Sequence, residues 1–185
     1  GLGNENGLLG KYVAFHNYRA RISGRYDGFK EFTLDGRRPS SAYIPRFRNV
    51  HKQETNFLRG YAAGFGSHRM EWPDTKGFGE DLVKNLSADL HRGDWQVGSH
   101  MMGETIPKES NTVSLDASRK DEWGIPLLKI NIDYDDNDEK MVKDFHEQMT
   151  EMYTKAGFTD IKTTDSKAAP GLDIHEMGGV RMGHD

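Results

Sequence analysis

Asp94-Trp-Gln-Val-Gly-Ser-His-Met-Met-Gly-Glu-Thr-Ile106 is the stretch whose reading decides the fold. It reads as one long strand, with Asn111-Thr-Val-Ser-Leu-Asp116 as its hairpin partner. Strand follows strand here without a helix between them. A doubly wound parallel sheet requires strict strand–helix alternation, and this order breaks it.

Upstream, Phe57-Leu-Arg-Gly-Tyr-Ala-Ala-Gly-Phe-Gly66 reads as a second strand. Phe57, Tyr61, Ala63 and Phe65 share one face, whereas Gly60, Gly64 and Gly66 leave the other nearly bare. A bare strand face has either another part of the protein or a ligand against it. Residues 12–23 have strand composition, and Ala42–Arg48 forms an edge strand or bulge, because Pro45 cannot donate to a ladder. Residues 77–91 have a helical period, with Phe78, Leu82, Leu86 and Leu90 at every fourth position, Val83 beside them and Gly93 as the stop.

Downstream, residues 117–125 read as a charged loop, and Leu127–Asp133 alternates with Leu128, Ile130 and Ile132 inward. Asp133-Tyr-Asp-Asp-Asn-Asp138 resembles the start of a calcium loop, but Asp138 stands where such a loop needs glycine. Asp136 with Glu139 makes a helix start of the capping-box kind instead. Val142, Phe145, Met149, Met152 and Ala156 then recur at helical spacing, so residues 137–156 form an amphipathic helix that Gly157 ends. A strand at 158–162 follows. The pattern predicts an α+β fold: a mainly antiparallel sheet of about six strands with helices packed on one face.

The 185 residues suit one domain. A net charge of −4 gives no electrostatic case for nucleic acid. There is no cysteine, hence no disulfide or thiolate metal site. No apolar run is long enough for a membrane span. Residues 1–20 lack a signal-peptide layout, which leaves the compartment, cytoplasmic or periplasmic, open.

The last stretch, Asp173-Ile-His-Glu-Met-Gly-Gly-Val-Arg-Met-Gly-His-Asp185, has too many glycines for a helix and too many apolar residues for a solvated tail. It reads as a tight turn that lets backbone approach something flat or charged, with His175 just ahead of it. A metal set of His175, Glu176 and His184 has the wrong spacing for a zinc helix, so no metal is expected.

His175-Glu-Met-Gly-Gly-Val-Arg-Met-Gly183 resembles the His-x-x-Gly-Thr/Gly-x-Arg-Met-Gly signature of the glucose–methanol–choline (GMC) oxidoreductases, flavin enzymes that oxidise alcohols and sugars. Gly103–Asp116 resembles the substrate-domain hairpin Gly-Glu-x-x-Pro-x-x-x-Asn-x-Val-x-Leu of that family, and Gly7–His16 the segment where its flavin domain hands over the chain. Phe15 stands where an aspartate is usual. The chain looks most similar to bacterial sugar-type members such as gluconate dehydrogenase flavoprotein subunits, pyranose oxidases and glucoside 3-dehydrogenases.

The resemblance implies that His175 is the base that takes the hydroxyl proton while hydride passes to FAD, and an imidazole with a pKa near about 6.5 suits that task. It also implies Gly178 and Gly179 as backbone close to the flavin. Residues 1–172 then form a substrate-binding domain, and 173–185 start a C-terminal catalytic segment. The Gly-x-Gly-x-x-Gly opening of a dinucleotide fold is missing. The expected partner is therefore an FAD-binding domain of the same parent chain. The isolated chain is expected to hold no FAD and to leave residues 173–185 loose. Candidate contacts to a sugar or alcohol substrate are Arg59, Tyr61, Trp95, His100 and Glu104, against the plainer reading of ordinary sheet surface. The competing expectation is a free-standing carbohydrate-binding or interaction module, with an ordered tail and no redox activity.

Overall fold

The structure, a computed structural model, describes residues 3–32, 41–69, 78–86, 93–171 and 174–180. In chain order the elements are β1 (His16–Asn17), β2 (Ala20–Tyr26), β3 (Ala42–Ile44), β4 (Tyr61–His68), α1 (Glu80–Leu86), β5 (Trp95–Glu104), β6 (Thr112–Lys120), β7 (Pro126–Asn131), α2 (Asp136–Lys155) and β8 (Thr159–Asp165). Six strands form one sheet in the order β3-β4-β5-β2-β8, with β1 also on β5. Every strand pair described is antiparallel. The fold is α+β, as the order of strands and helices predicts.

The opening stretch is the centre of the sheet. β5 pairs with β4 along one edge and with β2 and β1 along the other; Gly103 faces both Tyr61 and Asn17. Alternation sends Val97, Ser99, Met101 and Gly103 inward, all buried, and leaves His100, Met102 and Glu104 on the outer face. On the inner face, α2 lays down Met141, Val142, Phe145, Met149 and Tyr153, all buried. Each such side chain contributes about 1.5–3 kcal/mol on burial. Tyr61 meets Phe145 edge-on at 5.5 Å, and Tyr153 meets Phe158 at 4.8 Å. Gly103 allows this close packing: a Cβ there would lie 2.7 Å from the Met141 sulfur.

Both ends of α2 are encoded locally. Asp135 accepts from the amides of Asn137 and Asp138, and the Asp138 carboxylate accepts from the Asp135 amide. The capping box thus sits one residue earlier than the Asp136–Glu139 spacing predicts, because Glu139 is drawn to Arg19 instead. At the other end Gly157 takes φ +81, and the amides of Gly157 and Phe158 bond back to Thr154 and Tyr153. Arg19, 4 % exposed, ties the helix to the sheet. Its fork donates to both oxygens of Glu139 and both of Asp165.

Four expectations need correction. Asn111–Asp116 is not the hairpin partner of β5: β6 pairs with β7 in a separate two-stranded sheet. β6 also runs to Lys120, through half of the stretch read as a loop. Leu128 and Ile130 do not point inward. With Leu115 opposite Leu128 and Val113 opposite Ile130, they form an apolar hairpin face, of which Leu115, Leu128 and Ile130 are exposed. Alternation fixes that these residues share a face; it does not say what covers that face. Likewise Phe78 and Val83 in and before α1 are exposed rather than packed on the core.

Other expectations hold. β3 ends at Ile44, just before Pro45, and lies at the sheet edge. The strand expected over 12–23 starts at His16 and breaks at 18–19. The C-terminal half of the 77–91 helix and the turn at 72–74 lie outside the described residues. Among the described residues no helix is long and apolar enough to cross a membrane.

Candidate active site on the outer face of the sheet

The outer face carries a row of four rings drawn from three parts of the chain. His16 and Tyr18, at alternate positions, meet edge-on with centroids 5.8 Å apart. Tyr18 stacks on His100 at 5.6 Å and 19°. At the other end, His175 meets His16 edge-on at 5.0 Å. His16 Nδ1 lies 3.2 Å from the Gly103 carbonyl, which can only accept, so the neutral ring carries its proton on Nδ1 and keeps Nε2 as an acceptor.

The bare face of β4 finds its explanation in this row. A Cβ at Gly64 would lie 2.2 Å from the His100 ring, so Gly64 is the floor on which His100 rests. At Gly66 a Cβ would meet nothing within 4 Å, and at Gly98 only the Ile22 carbonyl at 3.9 Å. These two glycines, opposite each other, leave a flat, open patch beside the rings. At the β1 end, Glu104 pairs with Arg46 at 3.2 Å. Arg46 lies flat over Gly60, where a Cβ would come within 2.8 Å of its Nε.

His175 is held by its neighbours. Met177 and Ala14 exchange two backbone hydrogen bonds of 2.8 Å, the Gly179 amide donates to the Lys11 carbonyl, and the Gly10 amide donates to the Gly179 carbonyl. Gly178 adopts φ +88 with its α-carbon against the Tyr12 carbonyl, where a Cβ would stand 2.0 Å away. His175 itself has φ +66, a region few non-glycine residues enter. Over 174–180 the stretch is thus anchored by the chain's own N-terminal segment, against the expectation that it would be loose. The close approach that Gly178 permits is to this chain's backbone. Arg181–Asp185, including His184, lie outside the described residues, and no group of three or more metal-ligating side chains occurs among the described ones.

Of the five residues expected to touch substrate, the structure brings His100 and Glu104 to this face. Tyr61 is 1 % exposed and points the other way, its hydroxyl donating to Asp144 of α2 at 2.7 Å. Burial, then the Asp144 charge, pushes that phenol up. Tyr61 is a core residue. Trp95 sits at the far end of β5 on the α2 side, where its indole donates to the Phe29 carbonyl beside an aromatic-lined cavity of about 700 Å³. Arg59 lies in the turn before β4, with φ +69. The strand-face reading of 57–66 assigned Tyr61 correctly to the Phe57 side, but nothing in the sequence says which side α2 takes. His16, Tyr18 and Arg46 join the site unforeseen; the period-two placement of His16 and Tyr18 is the signal that marks them.

Residues 107–185 match the family model of the GMC oxidoreductases. A 2-methyl-1,2-propanediol dehydrogenase from Mycolicibacterium austroafricanum is 28 % identical over 204 residues, an alignment that takes in 100 % of this chain and 34 % of the relative. The chain thus spans about a third of that relative's length. Residues 107–185, which include His175, are thus similar to the GMC oxidoreductases, and the whole chain is similar to part of one dehydrogenase.

Proposed function

We propose that this chain supplies the substrate-facing half of an FAD-dependent oxidoreductase acting on the CH–OH group of a sugar or other alcohol. The observation that carries the reading is His175: a histidine with left-handed backbone, followed by backbone anchors at Met177 and Gly179, at the end of a ring row on an open sheet face. Backbone strain of this kind persists where the surrounding structure over-determines it, and it clusters at active sites. The relative's name as a diol dehydrogenase supports the alcohol class.

This chain's residues do not fit the task of holding FAD. A dinucleotide needs a parallel βαβ unit with a helix N-terminus at the pyrophosphate, and the described strands pair only antiparallel. Gly178 and Gly179 border a flavin in this reading, while the tight contact of Gly178 remains the Tyr12 carbonyl. A flavin held by another part of the parent protein would supply the hydride acceptor. His175 takes the hydroxyl proton. His16 holds the His175 ring from behind, and His100 with Glu104 presents polar edges to the substrate. The apolar face of the β6–β7 hairpin, with Leu115, Leu128 and Ile130 exposed, supports a folded partner domain of that same parent. Residues 173–185 then begin the catalytic segment.

The test joins this chain to a GMC-type FAD-binding domain and follows bleaching of the flavin by an alcohol. His175→Gln should keep the FAD content and slow bleaching at least about 100-fold. An unchanged rate sinks the reading. The competing reading, a carbohydrate-binding module, expects the unmodified chain to bind sugars without any flavin. Calorimetry with a sugar panel and with FAD separates the two.

A further inference from the structure

We infer that a polar pocket flanking the ring row takes the anionic end of a hydroxylated compound, with Arg21 as its counter-ion. The pocket encloses about 350 Å³ between His16, Tyr18, Arg21 and Tyr134, over a floor that includes Ala168 and Gly171. That volume is at the small end for ligand sites and suits a molecule of monosaccharide size. Its wall includes His16, whose ring touches His175. The inference rests on the proposed function for the identity of the compound as substrate; the binding itself does not depend on it.

The charge balance of the wall is the argument. Arg19 also borders the pocket, but its fork is consumed by Glu139 and Asp165. Lys167 is turned to the same two carboxylates, at 2.7 Å from Asp165 and 3.7 Å from Glu139. These two cations cancel these two anions. Arg21 is left over: it is exposed and has no carboxylate partner among the described residues. Its neighbours across the sheet are His100 and Thr164, neither an acid. A guanidinium presents a planar fork that carboxylate and phosphate oxygens match. The Tyr18 and His16 rings offer flat apolar surface to the C–H groups of a polyol. Carboxylate and phosphate share this chemistry, so both are tried.

Calorimetry on the 185-residue chain uses D-gluconate and glycerol 3-phosphate as anionic probes. D-glucose and 2-methyl-1,2-propanediol are the neutral ones. At least one anionic probe should bind about tenfold or more tighter than both neutral ones, and weaken as salt rises. Arg21→Gln should erase that preference, with an unchanged melting temperature showing that the fold is intact. Arg21→Lys should keep part of it. Whichever anion binds tighter identifies the group. Equal binding of anionic and neutral probes, no binding of either anion, or full binding by Arg21→Gln overturns the inference and makes Arg21 a solvated surface arginine. No flavin or turnover enters this measurement, so its failure leaves the role of His175 standing, and a failed His175→Gln result leaves the pocket standing.

Discussion

His175 and His16, from opposite ends of the sequence, meet ring edge to ring face with centroids 5.0 Å apart. The contact is fixed from two sides. His16 donates from Nδ1 to the Gly103 carbonyl at the end of the central strand. Two residues past His175, Met177 exchanges backbone hydrogen bonds with Ala14, two residues before His16. The spacing is symmetrical, so the two rings are brought together by the same bridge. His16→Ala should cost about 1–2 kcal/mol, the sum of a ring pair and one hydrogen bond. It should also move the His175 ring resonances in proton NMR. His16→Phe keeps the ring and should leave those resonances closer to their original positions. Unmoved His175 signals in His16→Ala would mean that the rings do not meet in solution.

Gly178 tests the bridge independently. Alanine there faces both a left-handed φ of +88 and a carbonyl 2.0 Å from the new Cβ. Gly178→Ala should cost about 1–3 kcal/mol, and the loss should be local. The measurement is amide hydrogen exchange: Met177 and Gly179 should exchange faster while the amides of β5 stay protected. Uniform acceleration across the protein would instead make Gly178 part of the global fold.

Carboxylates at the start of α2 and at the end of β8 give opposite pH dependences. Burial, then repulsion from Asp135, raises the Asp138 carboxyl to about 6. It is 2 % exposed, and its Oδ1 has no hydrogen-bond partner among the described residues. A carboxyl raised in the folded state favours folding below its unfolded value of about 3.9 and loses that contribution as pH rises through about 6. Asp138→Asn should therefore gain on the order of 2 kcal/mol relative to the parent at pH 8 and nothing at pH 3.5. Melting curves at the two pH values decide it, and a constant offset would refute the assignment.

Asp165 behaves the other way. Burial alone would raise it, but the Arg19 and Lys167 hydrogen bonds outweigh that and hold it well below the usual carboxylate range. Glu139 is lowered too, chiefly by the Arg19 hydrogen bonds. Their contribution is present above about pH 4 and is lost as pH falls below it. Arg19→Met should cost about 3 kcal/mol at pH 7, because Asp165 is left partly buried with only the exposed Lys167 as its cation. The cost should shrink in acid. A pH-independent cost would place the loss in packing against Tyr134 rather than in charge.

The β6–β7 hairpin tests the proposed partner domain. Leu115→Lys with Leu128→Lys alters two exposed, directly opposed residues. In the chain alone the pair of changes should shift stability by less than about 1 kcal/mol, since each sits on the surface. In the polypeptide that also carries the FAD-binding domain, it should lower the melting temperature by several degrees. Equal effects in both would remove the hairpin face from the domain interface.

Much of this protein is determined by local sequence. The period of Val142, Phe145 and Met149, with an acidic start and Gly157 at the end, specifies α2 without reference to anything else, because caps and helical spacing act over a few residues. The same holds for β5 and for the antiparallel class of the sheet. Tertiary structure decided which face is which. α2 covers the Tyr61 side of the sheet, which turns Tyr61 into core and leaves His100 and Glu104 outside. It also decided that Arg19 is spent on two carboxylates while Arg21, two residues on, is not, and that His16 stands behind His175. A period of two fixes which side chains share a face, yet burial and charge neutralisation depend on partners more than a hundred residues away in the chain, such as Glu139 and Asp165 for Arg19.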